Sequence, residues 1–150
     1  MPDEKSRQEE LEALEIALKT EEDGYKYFRE AVTRSADALV KKFFSTLAND
    51  EFVHINLIKE YHATLAASAP DQQIALPNFP DDYKSRIKTI FEEARKEIKG
   101  KVNPDTGVLD VYRNAMDLET KAANFYKGRV AVTQYPQAKE LYDWLFRFES

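Results

Sequence analysis

The chain contains no cysteine. That absence excludes a disulfide framework, a thiolate nucleophile, an iron–sulfur cluster and any zinc site built on sulfur. Glycine and proline are scarce, at 4 and 6 of 150 residues, so few positions can interrupt a long regular element. There is no excess of basic charge. The 22 Lys and Arg stand against 27 Asp and Glu, for a net charge of -5, and nucleic-acid binding, which wants a basic face, has no support. No run of 18 apolar residues occurs, so no membrane-spanning helix is expected. The opening "MPDEKSRQEE" lacks the apolar centre of a signal peptide, which makes a cytoplasmic location the expectation. What is present, 43% hydrophobic and 33% charged residues, describes one globular domain with a core of its own.

The apolar pattern is helical throughout, and no segment has the two-residue period of a strand. Ser6 and Glu9 have the spacing of a capping box and predict a first helix over about 6–35. Along it Leu11, Leu14, Leu18, Glu21, Tyr25, Phe28 and Val32 recur by threes and fours, the stripe of an amphipathic helix facing partners. A second helix is expected over about 37–66, carrying the seam Phe44, Leu47, Ile58, Tyr61 and Leu65. Pro70, Pro77 and Pro80 then open a crossover over 67–107, with an extra helix at about 81–99 that Gly100 stops. A third main helix follows over 108–132 and a last one over about 136–150.

Glu51 and His54 lie in the same seam as the buried leucines. A repeat makes that placement informative. At an offset of 98 residues, Ala17 meets Ala115, Phe28 meets Tyr126, Phe44 meets Tyr142 and Leu47 meets Leu145. The seam glutamates recur in the same register, Glu21 on Glu119 and Glu51 on Glu149, as a duplicated helical hairpin requires. With the first turn near 35–36, Glu21 and Glu51 each lie about 14–15 residues, roughly 21–23 Å, from it, and so stand level on adjacent antiparallel helices. The same reasoning levels Glu119 with Glu149, and stacking the hairpins brings four carboxylates to one height. Charges so placed need compensation. Divalent cations supply it, and His54 adds a neutral nitrogen on the face of Glu51. Carboxylates with imidazole suit iron or manganese.

Glu21 followed by Gly24 and Phe28, the pair Glu51-x-x-His54, and Glu119 followed by Phe125–Tyr126 resemble the ligand helices of the ferritin-like superfamily, and within it of rubrerythrin-like proteins. The resemblance implies an all-α fold, a ferritin-like antiparallel four-helix bundle with a long crossover between its hairpins. It implies two iron ions, with manganese or a mixed pair as the variant. Glu21 and Glu119 would be the single-glutamate ligands, Glu51 with His54 one paired motif, and Glu149 the acid of the second pair. The histidine of that pair would fall two positions past Ser150. The implied activity is reduction of peroxide or dioxygen. Electrons would come from a separate donor protein, since the cysteine-ligated module of rubrerythrins has no counterpart here. The competing readings are a metal-binding or iron-handling protein without turnover, and a metal-free helical scaffold. Because the last helix stops one residue after Glu149, the seam of Ile58, Tyr61 and Leu65 is expected to lie bare unless the crossover or a second copy, as in a homodimer, covers it.

Outside the seam, His62 drifts to the solvated side. Tyr25, Tyr112 and Tyr126 line or flank the seam and read as packing residues with satisfied hydroxyls. The runs "EKSRQEELE" and "EEARKE" mix both signs and read as solvated helix faces.

Overall fold

The computed structural model describes residues 3–34, 38–67 and 106–149. Among these residues there are four α-helices and no strand: α1 (Glu4–Arg34), α2 (Ala38–Ala66), α3 (Thr106–Val132) and α4 (Pro136–Glu149). The extra helix expected at about 81–99 lies outside the described residues. No helix among those described is long and apolar enough to cross a membrane.

Local chemistry sets the ends of these helices. Asp3, not Ser6, caps α1: its carboxylate accepts the Ser6 amide at 2.8 Å, and that bond holds the Asp3 carboxyl below its ordinary range. One turn on, Arg7 reaches across to the end of α2. Its Nε and Nη2 donate to the carbonyls of Leu65 at 3.0 Å and Ala66 at 2.5 Å, groups that a helix C-terminus leaves without an internal partner. Between α3 and α4 the chain breaks at Tyr135, which precedes a proline and is steered away from helical geometry, while Pro136 suits a first helical position.

α1 packs on α2 and α3, and α4 packs on α3 and α2. Residue pairs give the directions. Along α1, Arg7 meets Leu65 of α2, and Tyr25 lies beside Phe52. Glu10 meets Arg129, and Glu21 meets Tyr126, both of α3. Neighbouring helices are therefore antiparallel, and the diagonal pairs, α1 with α4 and α2 with α3, run parallel.

The interior has two apolar clusters. One contains Leu14, Tyr61, Tyr126, Tyr142 and Leu145; the other contains Phe28, Phe43, Phe44, Leu47 and Ala115, with no residue of α4. On every one of the first three helices an acid sits between the two. Glu21 falls between Ala17 and Phe28, Glu51 between Ala48 and Leu57, and Glu119 between Ala115 and Ala122. The repeat keeps its register in burial too, since Ala17 and Ala115, Phe28 and Tyr126, Phe44 and Tyr142, and Leu47 and Leu145 are all buried.

One expectation is corrected. Ile58, Tyr61 and Leu65 are not bare but fully buried, each at 0% exposure. Because α2 runs antiparallel to α4, its second half faces the first half of that helix, and the three join Leu141, Tyr142 and Leu145 in one cluster. No second copy is needed to cover them.

This packing predicts that Leu14→Ala, at a fully buried site, costs about 2–5 kcal/mol of unfolding free energy. Ile16→Ala, at a site 56% exposed, costs within about 0.5 kcal/mol. Urea denaturation measures both, and equal losses would contradict the assignment of the α1 faces.

Candidate metal centre

α1 brings Glu21 to the layer between the clusters, and α2 brings Glu51 and His54, whose spacing of three puts them on one face. One candidate ligand atom from each of the three lies within 4.8 Å of the others. All three residues are buried. His54 Nδ1 stands 3.6 Å from Glu21 Oε2. Gly24, one turn beyond Glu21, faces Glu51: a Cβ there would sit 3.6 Å from the Glu51 carboxyl carbon, an ordinary contact distance. Glu51 Oε2 is buried and has no hydrogen-bond partner among the described residues.

Glu119, half-buried on α3, is the next acid of the layer. Burial, and then the negative charge of Glu21, push its carboxyl up to about 8, with His54 acting in the opposite direction and Asp50 adding to the rise. Tyr126 donates its hydroxyl to Glu21 Oε1. Burial and the Glu21 charge raise that phenol well above its ordinary range, so it stays a donor. Aromatic edges hold the imidazole. Trp144 and Phe148 of α4 meet the His54 ring nearly perpendicularly, at 5.6 and 4.5 Å between centroids.

The structure thus brings Glu21, Glu51 and His54 together and sets Glu119 within electrostatic reach of them. Glu149 is the last residue of α4, and its side chain lies outside the described residues, as does that of Tyr112. Tyr25 is half-buried beside Phe52. His62 is half-buried too, 3.5 Å from Glu15.

Glu10 corrects the reading of "EKSRQEELE" as a solvated face. It is 2% exposed and accepts from Arg129 Nη2 at 2.8 Å, from the Tyr142 hydroxyl at 2.5 Å and from the Thr133 hydroxyl. The sequence did hold a signal. Glu10, Leu14, Ala17 and Glu21 continue one stripe at helical spacing, but the mixed charges around Glu10 mask it.

The two buried acidic groups differ in what meets them. Glu10 has three donors, which together satisfy a buried carboxylate. At Glu51 an oxygen is left with none, beside Glu21 and His54. A cation fits that vacancy in hydrogen bonding, and a donor set of carboxylates with imidazole suits iron or manganese.

The raised Glu119 pKa has a sign that can be tested. The folded chain holds this proton up to about pH 8, whereas the unfolded chain releases it near the ordinary value of 4.5. The contribution to stability is therefore complete below the unfolded value and is lost as pH rises through the folded one. Metal-free Glu119→Gln should flatten this slope and melt higher than wild type at pH 8, in thermal melts run from pH 5 to pH 9. Superimposable profiles for the two proteins would contradict this account of Glu119.

Curated proteins and solved structures gave no match to the chain. Among family models, that of rubrerythrin matches residues 12–150. The matched span contains Glu21, Glu51, His54, Glu119 and Glu149 and leaves out Glu10. With nearly its whole length matched and four antiparallel helices around a carboxylate–imidazole layer, the chain belongs to the rubrerythrin family.

Proposed function

We propose that this protein binds two iron ions at Glu21, Glu51, His54, Glu119 and Glu149, and reduces peroxide or dioxygen with electrons from a separate donor protein. Manganese or a mixed pair is the variant of the same site. The observation that carries the reading is the buried Glu51 oxygen with no donor, in a layer where Glu21 and His54 converge on it.

When bound, such metals supply the electrons and the Lewis acidity that O–O cleavage needs. The protein's own groups do the rest. Tyr126 occupies Glu21 Oε1, which leaves Oε2 turned toward His54. Trp144 and Phe148 fix the plane of the His54 ring and, with the two apolar clusters, exclude water from the layer. The Glu119 carboxyl, protonated at neutral pH, gives up its proton when a cation takes over the compensation of the layer.

Anaerobic titration with Fe²⁺ near pH 7 should therefore release protons, and Glu51→Ala and His54→Ala should abolish stoichiometric binding. Tyr126→Phe, which removes only the support of Glu21, should weaken affinity about 10–100-fold. Addition of H₂O₂ to the loaded protein should oxidise the iron and consume the peroxide. Bound iron that leaves peroxide untouched would select a metal-handling role, and elemental analysis showing no metal uptake would select the scaffold.

A further inference from the structure

Glu10 and Glu21 share the buried stripe of α1, 11 residues apart, or roughly three turns and 16–17 Å. Two tyrosines span the interval. Tyr126 of α3 donates its hydroxyl to Glu21 Oε1, and Tyr142 of α4 donates to Glu10 Oε2 at 2.5 Å. The hydroxyls thus serve opposite ends of the interval, and the rings stack between them, 6.2 Å between centroids and 24° between planes. Both tyrosines are fully buried.

The other half of the repeat shows what the stack alone requires. Phe28 and Phe44, which correspond to Tyr126 and Tyr142, stack in nearly the same way, at 6.5 Å and 22°. Two phenyl rings therefore fill that place in the bundle as two phenols do. The hydroxyls of Tyr126 and Tyr142 do something further: each ties its ring to an acid of α1. Phe28 has no hydroxyl to give Glu119, so the counterpart of the Glu21 tie is missing there.

A tie is only as firm as its anchor. Tyr126 holds Glu21 Oε1, and leaves Oε2 3.6 Å from His54 Nδ1, only while its own ring keeps its plane. In a close-packed interior a stacked ring cannot turn without displacing its neighbour. That neighbour, Tyr142, is fixed at its far end by Glu10. Glu10 in turn is gripped by Arg129 Nη2 at 2.8 Å and by the Thr133 hydroxyl, and Arg129 also lies over the Tyr142 ring, 5.7 Å from its centroid. Hydrogen bonds to an ionised carboxylate are the strong kind.

We infer that Glu10 is a positioning residue for Glu21: through Tyr142 and Tyr126 it sets the orientation in which that carboxylate meets a metal ion. The inference rests on the reading of the layer as a metal centre. Glu10 lies outside the span that the rubrerythrin model matches. The rival account confines it to clamping α1 onto the hairpin of α3 and α4.

Two measurements separate the accounts. The first needs no metal: NMR of the full chain labelled with ¹³C at tyrosine Cζ, in which the Tyr126 resonance is the one lost in Tyr126→Phe. Glu10→Leu, which removes the acceptor of Tyr142, should move that resonance. Glu10→Gln, which keeps a carbonyl oxygen in place, should leave it near its wild-type position. The second is anaerobic Fe²⁺ titration against a competing chelator. Glu10→Leu should weaken binding about tenfold, and Glu10→Gln should bind nearly as wild type does. In a Tyr126→Phe background, where the link to Glu21 is already cut, Glu10→Leu should cost no further affinity, because the two changes act along one path. Should Glu10→Leu fail to fold, as circular dichroism would show, Tyr142→Phe takes its place: it keeps the stacked ring, removes the tether and should move both readouts in the same way. Affinity losses that add, or a Tyr126 resonance unmoved by Glu10→Leu and Tyr142→Phe, would overturn the positioning role and leave the metal reading standing. A wild-type protein that takes up no Fe²⁺ would overturn both.

Discussion

A carboxylate taken out of water must be met by hydrogen-bond donors or by positive charge, and this requirement shapes the interior of the bundle at two levels. At the end near the α3–α4 connection, Glu10 is met by a guanidinium and two hydroxyls. In the central layer, Glu21 receives one phenol while Glu51 keeps an oxygen with no donor. Donors meet the acid at the first level in full, and at the second they leave one oxygen unmet among the described residues. A buried acid that the protein has fully satisfied is a structural element. One left short of donors has the capacity to take a cation.

The helical hairpin makes such a layer possible. Glutamates at equal distances from a turn come out level, and a three-residue step adds the imidazole on the same face. The apolar clusters on either side anchor the helices so that the acids cannot swing out to solvent, and Gly24 lies against the Glu51 carboxyl. Protonation of Glu119 lets the metal-free chain tolerate the crowding.

The class of fold and the centre of the site were legible because both follow from periodicity. The spacing of Leu14, Leu18, Glu21 and Phe28 names the buried face whatever it packs against. The offset of 98 residues pairs acids in register, which chance similarity between amphipathic helices does not readily do. What stayed hidden depends on partners far away in the chain. That Ile58, Tyr61 and Leu65 are covered follows from the direction of α2 relative to α4, which no local pattern encodes. Glu10 continues the stripe of Leu14, Ala17 and Glu21, but what makes a buried acid tolerable there, Arg129, Thr133 and Tyr142, arrives from more than a hundred residues away. The capping residue was misplaced for a smaller reason: Asp3 and Ser6 are both good caps, and their side chains compete for the same few amides.

The repeat also shows what differs between its two halves. Phe28 corresponds to Tyr126, Phe44 to Tyr142, and Glu10 to Val108. At each pairing the oxygen-bearing member belongs to the pole where α1 begins, and its hydrocarbon counterpart to the opposite pole. The two halves of the repeat thus differ in polarity at these positions, with side chains able to hydrogen-bond inside the bundle at one pole and hydrocarbon at the other.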